Sequence, residues 1–235
     1  MNKKRVLITG GNKGIGLAVS RAMLELGHEV IMLAREFETC PLVGVKDVTA
    51  VEFDLSKLED LPALAKELGD IDILINNAGY MQPKYTYDNY PVEARNAIMN
   101  VDLYAPIELM NLFCEHMKKQ KYGRIVNTAS IAGQVGHPDV WYGIAKAGLI
   151  NATKIYGKLL GAHGITVNCV APSPTETDMQ KDNSEERKKE FKKTVATGRF
   201  AQPEEVAKAI VWLATDCPEY INGICLDINN CSYPR

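Results

Sequence analysis

Short apolar runs alternate with helical stretches along nearly the whole chain, and this alternation constrains the fold most. Seven runs have the length of β-strands: Val6–Ile8, Val30–Leu33, Val51–Phe53, Ile71–Ile75, Arg124–Thr128, Ile165–Val170 and Ile224–Ile228. Between them, apolar residues recur at helical spacing, as in Leu58–Leu68, Pro91–Lys118, Trp141–His163 and Glu204–Thr215. Strands without strict polar–apolar alternation are typical of a parallel sheet buried on both faces. The pattern predicts an α/β fold, a doubly wound sheet flanked by helices, with ligands bound at the carboxyl ends of the strands.

Length and composition narrow the class of protein. A chain of 235 residues suits a single domain spanning residues 1–235. Its net charge of −2 gives no field that would attract nucleic acid or an anionic membrane, and no apolar stretch has membrane-spanning length. The six cysteines show neither a CxxC motif nor metal-ligand spacing with histidine. We therefore expect a cytoplasmic protein with free thiols and no metal site.

A glycine-rich turn, TGGNKGIG at Thr9–Gly16, joins the first predicted strand to the first predicted helix. Its glycines are Gly10, Gly14 and Gly16, a GxxxGxG spacing rather than the common GxGxxG. Glycines allow a tight turn and let a pyrophosphate approach the helix N-terminus, where free N–H groups favour anions. A purely structural turn is the alternative, but the strand–turn–helix context favours nucleotide binding.

The end of the second predicted strand indicates which nucleotide is bound. NAD enzymes usually have a carboxylate there to hold the ribose hydroxyls, whereas this chain has Ala34 followed by Arg35. Lys13 lies in the glycine-rich turn, and two cations together would suit a ribose 2′-phosphate. The pattern predicts NADP(H). The alternative is a pair of exposed surface cations, and Glu36 would weaken the prediction if it faced the pocket.

Tyr142 and Lys146 are four residues apart in a predicted helix, so they share one face. A nearby ammonium lowers the pKa of a phenol, and the tyrosine can then exchange a proton with a carbonyl oxygen as hydride is transferred. Tyr80 and Lys84 repeat the same spacing, but Pro83 lies between them in a predicted loop. We interpret that second copy as lacking the helical geometry that the chemistry needs.

Ser130 and Asn100 complete the candidate catalytic group. Ser130 ends the fifth predicted strand, where its hydroxyl could polarise a substrate carbonyl, although a cap or a turn is the commoner use of such a serine. Asn100 lies inside a predicted helix, which is unfavourable for asparagine and suggests either a backbone bond or a functional use. One such use is to hold a water that relays protons to Lys146. The motifs GxxxxGK[ST], HExxH and GxSxG are absent.

These motifs, in this order and over essentially the whole chain, resemble the short-chain dehydrogenase/reductase family. The resemblance implies a Rossmann-type fold with a seven-stranded parallel sheet. It implies a catalytic tetrad of Asn100, Ser130, Tyr142 and Lys146. It further implies the following cofactor-binding residues: Thr9, Gly10, Asn12, Lys13, Gly14, Ile15, Gly16, Arg35, Asp54, Leu55, Asn77, Ala78, Gly79, Tyr142, Lys146, Pro172 and Thr175. In the family, the residues matching Asp54 and Leu55 contact adenine, and the residue matching Thr175 contacts the carboxamide.

The stretches GITVNCVAPSPTETDM and GRFAQPEEVAKAIVWLAT look most like the 3-oxoacyl-acyl-carrier-protein reductase branch. This resemblance implies a carbonyl reductase whose substrate is a thioester on acyl carrier protein or CoA. Small ketones, sugars and polyols are the alternatives. A non-catalytic NADP(H)-binding regulatory protein is a different class, and the complete tetrad argues against it. The lysines at 118, 119 and 121 form a basic cluster suited to an acidic carrier protein, or a solvated helix end.

Three features depart from the family pattern. Ser173 replaces the usual glycine after Pro172, and Asn229-Asn230-Cys231 replaces an Asp/Asn-Gly-Gly motif. The family packs that C-terminal region between subunits, and we expect a homotetramer or a homodimer. The second crossover, Glu36–Val48, is short enough to predict a loop. The charged run Glu185–Lys193 predicts either a solvated helix or a mobile lid over the substrate.

Overall fold

The computed structural model describes residues 2–82, 84–181 and 183–235. Its seven strands are β1 (Arg5–Thr9), β2 (Glu29–Ala34), β3 (Val48–Glu52), β4 (Ile73–Asn76), β5 (Gly123–Thr128), β6 (Ile165–Pro172) and β7 (Cys225–Ile228). They form one sheet in the order β3-β2-β1-β4-β5-β6-β7, and every neighbouring pair is parallel. The predicted doubly wound α/β fold with a seven-stranded parallel sheet is confirmed.

Seven α-helices flank the sheet within the described residues: α1 (Gly14–Glu25), α2 (Leu61–Leu68), α3 (Val92–Met99), α4 (Ala105–Gln120), α5 (Val140–Leu160), α6 (Glu185–Thr194) and α7 (Pro203–Ala214). A π-helical turn, Asn100–Tyr104, joins α3 to α4, so the long helix predicted over Pro91–Lys118 is interrupted in its middle. Residues 36–47 form turns without a helix, which confirms the predicted loop at the second crossover. No helix in the described part of the chain is long and apolar enough to span a bilayer.

Successive strand residues point to opposite faces of the sheet, and each face carries its own apolar layer. Leu7 packs with the buried side chains of α2 and α4 on one face. Val6 and Ile8 pack with α1 and α7 on the other. All three strand residues are fully buried. This arrangement explains the strands' continuous apolar sequences, because a strand covered on both faces has no solvent side.

The strand order reverses between β1 and β4, which both belong to the centre of the sheet. At such a point the connections leave in opposite directions and open a crevice beyond the carboxyl ends of the strands. A cavity of about 480 Å³ lies there, bordered by the segments that follow β1, β4, β5 and β6. The candidate site is built around this cavity.

Candidate active site

The glycine-rich turn after β1 has a backbone that other residues could not adopt freely. Gly10 and Gly14 have φ angles of +65° and +55°, in the left-handed region that favours glycine. A Cβ added to Gly16 would lie 2.0 Å from the carbonyl oxygen of Gly10. The three glycines are therefore required by the turn itself. They also leave the N-terminus of α1 open toward the cavity, which Gly10 and Gly14 line.

A second turn, which follows β4, is bonded directly to the glycine-rich turn. The Thr9 hydroxyl oxygen accepts hydrogen bonds from the backbone N–H groups of Asn77 at 2.9 Å and Ala78 at 3.0 Å. The Asn77 amide donates to the Thr9 carbonyl at 3.1 Å. Thr9 and Asn77 thus hold two cavity walls together, a structural use of residues that the sequence assigned to cofactor binding.

The two predicted phosphate-binding cations have different surroundings. The Lys13 ammonium lies 3.6 Å from the Asp178 carboxylate and 3.8 Å from the Glu36 carboxylate. Arg35 is exposed at the end of β2, with its guanidinium 5.9 Å from the centre of the Tyr80 ring. Glu36 is exposed and does not line the cavity, but its carboxylate pairs with Lys13, which weakens the NADP(H) prediction at that residue.

The remaining predicted cofactor residues divide into two groups. Asp54 accepts a hydrogen bond from the Ser56 N–H at 2.9 Å, and this bond helps to hold the pKa of the Asp54 carboxyl below its ordinary value. Leu55 is buried in the apolar layer. The others line the cavity: Asn12, Ile15, Ala78, Gly79, Pro172 and Thr175. Ser173, a departure from the family pattern, lines it too.

Tyr142 and Lys146 lie on the first turns of α5, as their spacing predicted. Both side chains are buried and line the cavity, and the Lys146 ammonium is 5.6 Å from the centre of the Tyr142 ring. Ser130 borders the same cavity, and its hydroxyl oxygen accepts a hydrogen bond from the Ala132 N–H at 3.1 Å. Ser130 is therefore a cap and a cavity residue at once.

Burial dominates the ionisation of the tyrosine. It raises the pKa of Tyr142 above its ordinary value, and the Lys146 charge and a hydrogen bond with Ser130 oppose this rise without cancelling it. The sequence correctly predicted that the Lys146 charge lowers the pKa of Tyr142. The prediction did not include the loss of hydration on burial, which disfavours a phenolate and therefore raises the pKa. In this structure Tyr142 is therefore a protonated phenol at neutral pH.

Lys146 has a buried partner that the sequence analysis missed. Its ammonium lies 2.9 Å from the Asp102 carboxylate and donates to the Thr128 carbonyl at 2.9 Å. Burial, the largest single effect, would lower the pKa of Lys146, but the Asp102 charge, the interaction with Tyr142 and the bond to Asp102 together outweigh it, and the pKa is raised. The only available signal was an aspartate two positions after Asn100, on a segment whose burial the sequence did not reveal.

Asn100 begins the π-helical turn that carries Asp102. Its side-chain amide donates to the Ser56 carbonyl at 2.9 Å, which is the backbone bond that its unfavourable position suggested. The proposed water relay to Lys146 stays a prediction. Tyr80 lies in a loop and Lys84 in a turn, so the second YxxxK copy is not helical at these residues, while Pro83 lies outside the described residues.

A buried carboxylate, Asp139, caps α5 and joins it to the loop after β4. It accepts hydrogen bonds from the Tyr142 N–H at 3.3 Å, the Gln82 N–H at 2.7 Å and the Tyr90 hydroxyl at 2.9 Å. Asp139 is only 1% exposed. The helix start that carries Tyr142 and the loop at residues 80–90 therefore share one anchor, which the sequence analysis did not identify.

The part of the cavity lining that comes from α6 and from the loops after β4, β5 and β6 combines apolar side chains with two cations of α6, Arg187 and Lys188. Its apolar members are Met81, Ile131, Val135, Met179 and Phe191. The Arg187 guanidinium lies 3.5 Å from His137 Nε2, and the His137 and Tyr142 rings are 5.6 Å apart. Burial lowers the pKa of His137, so this ring is neutral at pH 7. Arg187 and Phe191 belong to α6, which contains no buried residue, so α6 is both a solvated helix and a wall of the cavity.

Comparison with known proteins assigns the chain to a family. A family model described as enoyl-(acyl carrier protein) reductase matches residues 10–230. The 3-oxoacyl-[acyl-carrier-protein] reductase of Haemophilus influenzae is 33% identical over 245 residues, covering 99% of this chain and 99% of that protein. Its counterpart in Aquifex aeolicus is 34% identical over 236 residues, covering 95% of this chain and 94% of that protein.

Solved structures agree with this assignment. A 4-hydroxyisoleucine dehydrogenase complexed with NADH superposes with a TM-score of 0.93 at 25% identity, over 98% of this chain and 99% of that one. A protein from Agrobacterium tumefaciens, proposed to be a 2-deoxy-d-gluconate 3-dehydrogenase and solved with NADP, gives a TM-score of 0.89 at 27% identity, over 99% of this chain and 97% of that one.

The chain belongs to the short-chain dehydrogenase/reductase family and is an oxidoreductase. Within that family, its similarity to the 3-oxoacyl-[acyl-carrier-protein] reductases is confirmed.

Proposed function

We propose that this enzyme uses NADPH to reduce a carbonyl to an alcohol, with a 3-oxoacyl thioester as the favoured substrate. One observation carries the proposal. Tyr142, Lys146 and Ser130 border the same cavity as the glycine-rich turn, so a proton donor and an anion-binding helix start share one enclosed space. The matched curated relatives named 3-oxoacyl-[acyl-carrier-protein] reductases support the substrate class.

The residues around the glycine-rich turn fit a dinucleotide. The cavity walls at Gly10, Gly14 and Gly79 are backbone, and a Cβ added at Gly14 would come within 3.0 Å of the Thr177 side chain. A pyrophosphate can therefore approach the N–H groups that open α1. We assign its binding to Thr9–Gly16 and Asn77–Gly79, with Pro172 and Thr175 toward the nicotinamide. When bound there, the cofactor supplies a hydride to the carbonyl carbon.

The chain's own groups act on the carbonyl oxygen. Tyr142 holds a proton because burial keeps its phenol neutral, and it donates this proton to the oxygen as the alcohol forms. The Ser130 hydroxyl donates a hydrogen bond to the same oxygen and orients it. Lys146 stays charged beside Tyr142 and binds the cofactor ribose with the part of its ammonium that Thr128 and Asp102 leave free. Asn100 completes the tetrad by holding the helical turn that carries Asp102.

Arg35 supports NADP(H) rather than NAD(H). It is exposed at the end of β2, where a carboxylate would otherwise hold the ribose hydroxyls. Lys13 can join it only by leaving Asp178 at 3.6 Å and Glu36 at 3.8 Å, and all three side chains are half exposed or more. Exposed pairs of this kind contribute roughly 0–1 kcal/mol, so a phosphate dianion can displace the carboxylates.

A free hydroxy or keto acid is the second candidate substrate, favoured by Arg187. No carboxylate pairs with this guanidinium among the described residues, and its polar contact is the neutral His137 ring beside Tyr142. A carboxylate on the substrate would satisfy Arg187. The phosphate of a pantetheine arm would do the same in a thioester substrate, while the apolar wall would hold the acyl chain.

We also propose a homo-oligomer, a tetramer or a dimer, that acts in the cytoplasm. The outer face of α5 exposes Ile144, Ile155 and Leu159, and α7 exposes Trp212. Large apolar residues grouped on helix faces suit a subunit interface. Lys118, Lys119 and Lys121 would meet an acidic carrier protein, although Lys118 already pairs with Glu115 at 2.7 Å.

The test is NADPH consumption with acetoacetyl-CoA, run beside NADH and beside two variants. Tyr142→Phe removes the proton donor and should lower kcat by about 10²–10⁴-fold. Tyr80→Phe, the matched change in the non-helical YxxxK copy, should leave turnover intact. Equal use of NADH would refute the cofactor preference. Tight NADPH binding without thioester reduction would refute the thioester and favour the keto acids. Unchanged turnover in Tyr142→Phe would refute the mechanism.

A further inference from the structure

The Lys146–Asp102 ion pair is buried beside the cavity, which only Lys146 of the two residues lines. Asp102 is fully buried, Lys146 is 2% exposed, and the two charged groups are 2.9 Å apart. The second carboxylate oxygen of Asp102 accepts a hydrogen bond from the Tyr80 N–H at 3.0 Å. A buried charge is costly unless it is paired and hydrogen-bonded, and Asp102 has its ion pair on one oxygen and its hydrogen bond on the other. Asp102 therefore has one fixed position, directly on the catalytic lysine.

This carboxylate changes what Lys146 does to Tyr142. A lysine without a counter-ion stabilises a phenolate and favours loss of the tyrosine proton. Here the positive charge is matched by a negative charge 2.9 Å away, so the field that reaches the phenol is that of an ion pair. Asp102 raises the pKa of Tyr142, in opposition to Lys146, while burial acts in the same direction as Asp102.

We propose that Asp102 is a positioning residue for this reaction, which fixes Lys146 through the ion pair and counters its charge so that Tyr142 stays a proton donor. The proposal rests on the proposed function, because a protonated Tyr142 serves carbonyl reduction. The π-helical turn contributes to this positioning of Lys146. It departs from α-helical winding at the segment that carries Asp102 and brings this side chain against α5.

Other titratable groups face the same tyrosine. Asp139 at the start of α5 also raises the pKa of Tyr142, but by less than Asp102 does. His137 packs its neutral ring near the phenol and adds no charge at pH 7. Ser130 lowers the pKa of Tyr142 through a hydrogen bond. Removing Asp102 therefore leaves Lys146 as the dominant charge at Tyr142, and the pKa of Tyr142 should fall.

The direct test needs no substrate. The full chain is labelled with ¹³C at the tyrosine Cζ atoms, and the Tyr142 signal is identified by its absence in Tyr142→Phe. In Asp102→Asn, Tyr142 should ionise about one pH unit lower than in the wild type, since a single neighbouring charge shifts a pKa by about that much or more. The alkaline limb of the pH profile for carbonyl reduction should move down by the same amount.

Three further variants make the result decisive. Asp102→Ser, which is smaller, repeats the test if Asp102→Asn fails to fold. Asp102→Glu restores a carboxylate and should return the titration toward that of the wild type. Asp139→Asn also removes a buried carboxylate near Tyr142 and should shift its ionisation by less. An unmoved Tyr142 titration in Asp102→Asn, or a shift no larger than that in Asp139→Asn, overturns the proposal. If the wild type reduces no carbonyl while the titration shifts as expected, the proposed function fails, and only the effect of Asp102 on the ionisation of Tyr142 stands.

Discussion

The glycine-rich end of the cavity and the wall that α6 contributes are built in different ways. The glycine-rich turn is held by backbone geometry and by the buried Thr9 hydroxyl, which accepts two N–H groups. The α6 wall is a charged helix with no buried residue, and it reaches the cavity through a few side chains such as Arg187 and Phe191. The difference teaches that the glycine-rich turn, a motif common to the family, cannot change easily, because backbone geometry and buried hydrogen bonds hold it. The α6 wall, which has no buried residue, can vary with little cost to the fold.

The largest effect should come from Gly16→Ala. The new Cβ would lie 2.0 Å from the Gly10 carbonyl oxygen, so the turn must shift, at a cost of roughly 1–3 kcal/mol of stability, together with most of the cofactor affinity. Thermal unfolding and NADPH titration measure both losses. Gly136→Ala is the control, because nothing lies within 4 Å of its added Cβ. A Gly16→Ala protein with wild-type cofactor affinity would show that the turn is not as constrained as its geometry indicates.

A smaller and more selective effect is expected at the α6 wall. Arg187→Gln should raise the KM of anionic substrates by about tenfold, because one charge-assisted contact of about 1.5 kcal/mol or more is lost. Cofactor affinity and stability should stay unchanged. Steady-state kinetics with acetoacetate, ethyl acetoacetate and acetoacetyl-CoA show whether Arg187 contacts a carboxylate or a phosphate of the substrate. Lys189→Gln, an exposed change on the same helix, serves as the control. An equal loss with the neutral ester would mean that Arg187 does not bind an anion.

The smallest effect concerns the C-terminal departure from the family pattern. Asn230 and Cys231 have φ angles of +44° and +62°, where the family's glycines would be relaxed. Cys231→Gly should raise stability by about 0.5–1 kcal/mol and leave both ends of the cavity unaffected. Denaturant unfolding measures the gain. Cys231→Ala removes the same exposed thiol but keeps the strained φ angle, so its stability should equal that of the wild type. A gain in stability in both variants would mean that the thiol, and not the backbone angle, is responsible.

The sequence predicted most of the scaffold and part of the site. Strand identity followed from apolar runs, and the grouping of Ser130, Tyr142 and Lys146 followed from their places on a strand end and one helix face. Asp102 was not predictable, because the π-helical turn departs from the α-helical period on which sequence patterns rest. The ion pair of Lys13 with Asp178 was missed because Asp178 is distant in sequence and reaches the glycine-rich turn only in the folded chain.

Asp139 has a mechanical consequence. One carboxylate accepts hydrogen bonds from the first turn of α5 and from Gln82 and Tyr90 in the loop after β4. The two segments share an acceptor with 1% exposure, so neither can move away without leaving a buried charge partly unsatisfied. Any adjustment of the 80–90 loop to a larger substrate must therefore pull on the helix start that carries Tyr142. The position of that loop and the alignment of the phenol are then coupled. On the proposed function, a substrate too large for the loop would move the Tyr142 hydroxyl away from the carbonyl oxygen that it should protonate.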